Sequence, residues 1–256
     1  MKHPIYSYIT ALLVATATIS CQQKIWQPQA PANLEQTDLA VDSTLTADPE
    51  AEALIKPYRQ QVTTKMSEVI GTATTELRKA DYESPLGNFV TDLLLEQTNK
   101  IVDIPVDMAQ TTNGGLRVPL PAGPINVGNI FELMPFENEV IVLTLDGPTT
   151  KELFDFAAKT GISPIANATY TVKDGAATDV KIGGKPLDQS RTYTIVTSDY
   201  LASGGDNMAM FKKALKSEKV GIMMRDMILK HIKELTAAGK PIVANTAKRV
   251  SGIPQK

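Results

Sequence analysis

The sequence has very little of what metal and redox chemistry requires. Its 256 residues include one cysteine, Cys21, and two histidines, His3 and His231. A single thiol excludes an intrachain disulfide framework and a thiolate zinc site. Two histidines are too few ligands for a di-metal hydrolytic centre, and with His3 near the N-terminus and His231 between lysines in a predicted helix, no Ser/His/acid arrangement is indicated. We therefore expect no metal ion, no cofactor and no catalytic residue in this chain, and a surface or half-buried helix position for His231.

The chain also lacks an excess of charge of either sign. Lys and Arg number 26 against 28 Asp and Glu, which gives a formal net charge of −2. Because neutralisation of phosphates dominates nucleic-acid affinity, this balance argues against a DNA or RNA partner. The densest basic stretch, Lys212, Lys213, Lys216 and Lys219, has helical spacing, which predicts a solvated helix face.

A hydrophobic run long enough to span a bilayer is missing as well. The apolar stretch at residues 9–19 is too short for a transmembrane helix, and it lies between Lys2 and Cys21. Residues 1–21 therefore resemble a bacterial lipoprotein signal segment, which implies lipidation of Cys21. The Gln-, Pro- and Thr-containing residues 22–53 predict a flexible tether. We expect a lipid-anchored protein of the bacterial cell envelope that faces the periplasm.

Residues 54–253 predict a single α+β domain, because helical and strand patterns are mixed without strict β-α-β alternation. A helix with an apolar face begins at Ser84 and Pro85, and another helix ends at Gly161. The remaining predicted elements are hairpin turns at 174–175 and 183–184, strands at 104–109, 140–145, 170–173, 180–182, 192–197 and 249–253, and helices at 208–216 and 222–235.

Three separate loops carry residue types suited to a phosphate, a flat ring and a sugar: 113-NGGLR-117, 135-PFEN-138 and 199-DYLASGGD-206. The Asn-Gly-Gly turn of the first loop can bring backbone amides close to an anion that Arg117 takes bidentately. Taken alone, the aromatic residues of the other two loops also fit core rings at strand ends. The small residues and the carboxylate that follow the second ring favour a ligand with vicinal hydroxyls.

In this order the three motifs resemble the C-terminal domain of the 5′-nucleotidases, enzymes that release phosphate from nucleoside monophosphates and related esters. The resemblance covers residues 54–253 and extends to 83-ESPLGNFVTD-92, to residues 123–131 and to residues 142–147. It implies a mixed β-sheet packed with helices, and a role in substrate binding.

The resemblance also implies roles for individual residues on the nucleoside side. Phe136 and Tyr200 would sandwich the nucleobase, Asn138 would reach the base edge, and Asp206 would bond the ribose hydroxyls. Glu137 departs from the family, because glycine is usual at that position, and its side chain protrudes where the loop is normally bare. This departure leaves the identity of the base open.

On the phosphate side, the resemblance assigns Arg117 and Asn113. Lys100 stands where some members place a second phosphate-binding arginine, and lysine cannot repeat the bidentate geometry of arginine. Asn207 stands where the family usually has a glycine after Gly-Gly-Asp.

Family members normally carry a metallophosphatase domain with two metal ions, which the residues before Gly87 are too few to form. We expect the chain to be the nucleotide-binding half of a 5′-nucleotidase-type hydrolase, with the divalent metals in a separate metallophosphatase chain. The alternative is a non-catalytic lipoprotein that scavenges nucleotides. A third interpretation, a retired domain kept as a structural partner, leaves the shared set of loop residues unexplained.

Overall fold

The computed structural model describes residues 45–253. Cys21, the predicted signal segment and most of the predicted tether lie outside the described residues, so both the signal segment and the lipidation stay predictions. Within residues 45–253, no helix is both long enough and apolar enough to cross a membrane. Helices and strands are mixed along this part of the chain, which confirms the predicted α+β class.

The described residues form helices and strands that we number in chain order. The helices are α1 (Pro49–Met66), α2 (Pro85–Asn99), α3 (Val127–Leu133), α4 (Gly147–Thr160), α5 (Asp199–Ala202) and α6 (Met224–Ala237). The strands are β1 (Val69–Ala73), β2 (Met108–Gln110), β3 (Gly123–Asn126), β4 (Glu139–Asp146), β5 (Ile165–Ala166), β6 (Ala168–Lys173), β7 (Ala176–Ile182), β8 (Lys185–Pro186), β9 (Thr192–Ser198), β10 (Lys216–Met223) and β11 (Val250–Ser251).

A five-stranded sheet with the order β10-β4-β9-β2-β5 lies at the centre of the described residues. Its strand β4 is antiparallel to both neighbours, whereas β9 and β2 are parallel. Val140 and Val142 of β4 join one buried cluster, and Ile141 and Leu143 join another. Both faces of the strand are therefore buried, as the continuous apolar run at 140–145 predicts.

Two smaller sheets complete the β structure of the described chain, with the orders β11-β6-β7-β8 and β1-β3. The predicted hairpin at Asp174-Gly175 joins β6 to β7 and is confirmed. Gly183-Gly184 joins β7 to the short strand β8, so the strand at 192–197 is not its partner. The last predicted strand, 249–253, is reduced to β11, which pairs in parallel with β6.

The start of α2 matches the sequence and explains the motif around it. The Ser84 hydroxyl accepts the backbone N–H of Gly87 at 3.0 Å, and Pro85 follows in the first turn. The carboxylate of Glu83, just before the cap, accepts the backbone N–H of Arg249 at 3.0 Å. Asn88 donates its side-chain amide to the carbonyl of Asn245 at 2.9 Å. This motif therefore ties α2 to the C-terminal segment.

The predicted helix at 208–216 is wrong beyond Lys213. Residues 209–213 form a 3₁₀ turn, and the chain then continues as β10 along the edge of β4, with Lys216 opposite Thr144. The backbone groups of β4 need partners on that side, and this tertiary pairing overrides the local helical spacing. The lysines do not share a helix face: Lys213 pairs with Glu152 at 2.7 Å, and Lys219 with a strand carboxylate at 2.6 Å.

Three boundaries also differ from the prediction. The helix predicted at 222–235 runs over 224–237, and the first helix begins at Pro49, before the predicted start of the domain at Leu54. Strand β2 begins at Met108, later than predicted, and the N–H of Val106 before it donates to the side chain of Asn99 at 2.9 Å.

His231 is buried, which corrects the prediction of a surface or half-buried position. The residue is 7% exposed, and the centre of its ring lies 6.0 Å from that of Phe89 on α2. The side-chain Nε2 of Gln97 lies 3.0 Å from its Nδ1. Since an amide nitrogen only donates, Nδ1 accepts and the ring proton resides on Nε2. Burial lowers the pKa of His231 below its ordinary value of 6.5.

Candidate functional site

The topology of the central sheet brings the three loops together. Strands β9 and β2 are parallel, so both end at the same edge, and the antiparallel β4 begins there. The loop after β2 carries residues 111–117, the loop before β4 carries 135–138, and the segment after β9 carries 199–206. Loops that are far apart in the sequence thus meet at one end of three adjacent strands.

A pocket of about 410 Å³ opens between these loops. This volume lies within the usual range for small-molecule sites. Among the sequence-predicted residues, Arg117, Phe136, Asn138, Tyr200 and Asp206 line the pocket, and they are joined by Thr112, Glu137, Met134 and Met224.

The two aromatic rings are exposed at the pocket, which excludes their assignment to the core. Phe136 is 43% exposed although it precedes the buried strand β4, and Tyr200 is 49% exposed although it follows the buried strand β9. The guanidinium carbon of Arg117 lies 5.8 Å from the centre of the Phe136 ring. Arg117 also donates to the carbonyl of Gly114 at 3.3 Å. A flat apolar ligand and an anionic group could therefore be held side by side.

The 199–206 loop is held by a reciprocal contact between a ring and a carboxylate. The Tyr200 hydroxyl donates to Oδ1 of Asp206 at 2.9 Å and accepts the backbone N–H of Asp206 at 3.2 Å. Thr112 donates its hydroxyl to the other carboxylate oxygen. Asp206 has a left-handed backbone, with φ of 50°, a conformation that Asp tolerates better than most residues. A Cβ at Gly205 would overlap the Tyr200 ring, so only glycine fits there.

Lys79, which no sequence motif indicates, holds the 113–117 loop through hydrogen bonds to its backbone. Its ammonium donates to the carbonyls of Asn113 at 3.1 Å and Leu116 at 2.7 Å. Gly114 faces the carboxylate of Asp206, and a Cβ there would lie 2.9 Å from Oδ2. The glycine therefore permits the close approach of the first and third loops.

Arg225, at the start of α6, holds the 135–138 loop. Its guanidinium donates to the carbonyl of Pro135 at 3.2 Å and stacks on the Phe131 ring, 4.2 Å from the ring centre. The side chain is only 12% exposed, and its terminal nitrogen lies 4.0 Å from the Glu137 carboxylate. No local pattern in the sequence points to this residue, because its contacts are about 90 residues away along the chain.

Asn138 is oriented by Asp199. Its Nδ2 donates to Oδ1 of Asp199 at 3.1 Å, and the same oxygen accepts the backbone N–H of Tyr200 at 2.7 Å. The second and third loops are therefore linked directly at the pocket.

Two predicted site residues lie elsewhere. Lys100 follows the last turn of α2 and is not among the residues that line the pocket. Its ammonium pairs with Glu96 at 2.7 Å and with Glu234 at 3.3 Å. Hydrogen bonds from Lys230, Gln97 and Lys100 lower the pKa of Glu234 to about 2. The ammonium of Lys100 thus takes part in a surface network between α2 and α6.

Asn113 also lies outside the pocket lining, although Gly114 and Gly115 next to it line the pocket. Its Nδ2 donates to the carbonyl of Ala80 at 2.9 Å, and its backbone N–H donates to Ile162 at 2.8 Å. Its place in the structure is that of a turn residue that supports the loop.

A second cleft of about 410 Å³ lies beside Arg249, away from the three loops. There the guanidinium is already bound at 2.6 and 2.8 Å by both carboxylate oxygens of Asp92. This cation is therefore unsuited to recognise a phosphate. Across residues 45–253, no three His, Cys, Asp or Glu side chains are grouped so that they could hold a metal ion.

Comparison with known proteins identifies relatives of this fold. A family model described as 5′-nucleotidase, C-terminal domain, matches residues 68–213. The trifunctional nucleotide phosphoesterase protein YfkN of Bacillus subtilis is 25% identical over 237 residues, which cover 83% of this chain and 16% of that protein. Protein UshA of Escherichia coli is 28% identical over 167 residues, which cover 60% of this chain and 29% of that protein.

Solved structures show the same similarity. The 5′-nucleotidase precursor from Thermus thermophilus is 25% identical with a TM-score of 0.69, and the match covers 81% of this chain and 44% of that one. The NAD nucleotidase NadN from Haemophilus influenzae shares the fold, with a TM-score of 0.62 at 16% identity, over 80% of this chain and 41% of that one. The chain spans less than half the length of each of these four proteins.

Proposed function

We propose, because this chain belongs to the family of 5′-nucleotidase C-terminal domains, that its pocket binds a nucleoside monophosphate or a related phosphoester. A separate metallophosphatase chain would then supply the metals that cleave the ester. The protein would be the nucleotide-binding half of a 5′-nucleotidase-type hydrolase and would support nucleotide breakdown. The observation that carries the proposal is the pair of exposed rings, Phe136 and Tyr200, on one pocket with Arg117 and Asp206.

Each group suits one part of a nucleotide. The exposed rings offer faces on which a base can stack, a contact worth about 1–3 kcal/mol per base. The Asp206 carboxylate keeps acceptor capacity for ribose hydroxyls beside the two hydroxyls that it already binds, because each carboxylate oxygen has two lone-pair sites. Arg117, exposed at the rim, can take the phosphate through its planar fork.

The division of labour between two chains rests on the donor set. Hydrolysis by a di-metal centre needs several His, Asp and Asn ligands, and the single His among residues 45–253 is buried against α2. We propose that the metals act on the phosphate from a partner that covers the open side of the pocket. The lipoprotein-like signal supports the further proposal that Cys21 anchors the chain in the cell envelope.

Isothermal titration of the full chain in mild detergent with nucleoside monophosphates tests this function. The proposal predicts that a nucleoside monophosphate binds and that Phe136→Ala and Arg117→Ala each weaken the binding about tenfold. The matched controls, Tyr58→Ala and Arg78→Ala, change exposed residues outside the pocket and should leave the affinity unchanged.

Phosphate release is followed in parallel with added Mn²⁺. The two-chain proposal predicts binding without release by this chain alone, and release at a substantial rate would contradict it. Metallophosphatases from the same cell envelope can also be added to the chain with its bound nucleotide. If none of them hydrolyses the nucleotide, the scavenging alternative is favoured.

A further inference from the structure

The side of the pocket next to Phe136 presents hydrogen-bond acceptors from both polar residues of its loop. Glu137 lines the pocket, and its ionised carboxylate can only accept. The side chain is 82% exposed, with one oxygen 4.0 Å from the Arg225 guanidinium. Both oxygens are therefore accessible from the pocket, and they can accept from donors of a ligand stacked on the neighbouring ring beside the long contact with Arg225.

The orientation of Asn138 adds a further acceptor. A carboxylate accepts only, so the Asn138 atom that lies 3.1 Å from Asp199 must be the amide nitrogen. The carbonyl oxygen, Oδ1, is then the group left for a ligand. Asp199 is itself held by the backbone N–H of Tyr200 at 2.7 Å, which stabilises this orientation.

We propose that this pocket prefers a base with adjacent N–H donors on one edge, which among the common nucleotides is guanine. This inference rests on the proposed function. Guanine carries N1–H and a 2-amino group side by side, so both oxygens of Glu137 can accept from it, in the same bidentate way that a carboxylate receives a guanidinium. Asn138 accepts a remaining amino N–H or a ring donor of the same ligand.

The same groups disfavour adenine. Next to its amino group adenine has N1, an acceptor, which would face a carboxylate oxygen without a proton between them. Moving an acceptor out of water without giving it a hydrogen-bond donor costs free energy. Hypoxanthine lies between the two bases, because it keeps N1–H and lacks the 2-amino group.

Titration of the full chain with GMP, IMP and AMP tests the preference. We expect GMP to bind roughly tenfold more tightly than AMP, with IMP between them, since a bidentate base contact discriminates by about that factor or more. Glu137→Gln replaces one acceptor by a donor and should bring the GMP-to-AMP affinity ratio close to one. Glu132→Gln, an exposed change on α3 outside the pocket lining, is the matched control and should keep the ratio.

The outcomes separate this inference from the function on which it rests. Equal binding of the three nucleotides, with a dependence on Phe136 but none on Glu137, would overturn the guanine preference and leave the nucleotide site standing. A wild-type chain that binds none of them would overturn both.

Discussion

The hydroxyl of Tyr200 and the carboxylate of Asp206 lock each other at the rim of the pocket, through one bond of 2.9 Å to the side chain and one of 3.2 Å from the backbone N–H. This pair sets the tilt of an exposed ring and the position of a carboxylate at the same time. A change in either residue should therefore alter the position of the other.

Tyr200→Phe keeps the stacking face and removes both bonds. We expect nucleotide affinity to change by only a few fold, with a loss of about 0.5–1.5 kcal/mol in the free energy of unfolding. Tyr200→Ala should weaken binding about tenfold. Titration and urea unfolding of both variants check this. Equal binding losses in the two would show that the hydroxyl, and not the ring face, matters.

Arg225→Met keeps the packing on Phe131 and removes the donors to the 135–138 loop. We expect unfolding to become easier by about 1–3 kcal/mol, because the carbonyl of Pro135 and the Glu137 carboxylate lose their cationic neighbour. Hydrogen exchange of residues 135–138 should speed up, and nucleotide affinity should fall. Unchanged exchange in this loop would contradict the role of Arg225 in positioning it.

Asn88→Ala separates the structural motif from the site. Asn88 is 2% exposed, and its amide joins α2 to Asn245. We expect a loss of about 1–3 kcal/mol in unfolding free energy and an unchanged nucleotide affinity below the melting temperature. Weaker binding at full stability would mean that this motif acts on the pocket.

His231 makes the stability depend on pH in a defined direction. Its pKa is lowered in the folded protein from 6.5, so between the two values the unfolded chain binds more protons. Stability from this residue is therefore present above about pH 6.5 and is lost as the pH falls toward the folded value.

Urea unfolding at several pH values between 5 and 8 checks this sign. The stability difference between the wild type and His231→Gln should narrow as the pH falls. A difference that stays constant over this range would show that protonation of the imidazole does not affect folding.

Most of the local structure follows from the sequence because local chemistry decides it. Ser84 and Pro85 begin α2, the apolar run at 140–145 becomes β4, and the Asp174-Gly175 hairpin forms as expected. At 216–223 the lysine spacing indicates a helix, but the backbone instead pairs with the open edge of β4. That edge exists only in the folded sheet, and a single sequence does not reveal it.

The residues of the candidate site also fall into two groups, those that the sequence predicts and those that it does not. The loop residues that line the pocket were predicted from motifs in which the necessary residue types are close in the sequence. Lys79 and Arg225 support those loops from distant segments through bonds to backbone carbonyls, which accept from any donor and leave no mark on the local sequence. Lys100 lies away from the pocket, and its ammonium is bound by carboxylates of two helices, which its position in the sequence motif does not indicate.

Hydrogen–deuterium exchange of the full chain, with and without a saturating nucleoside monophosphate, tests most directly whether three loops form one nucleotide site. We expect slower exchange in 113–117, 135–138 and 199–206 together, with no change in the hairpin at 173–176. Unchanged exchange in all three loops, or protection confined to the cleft beside Arg249, would contradict it.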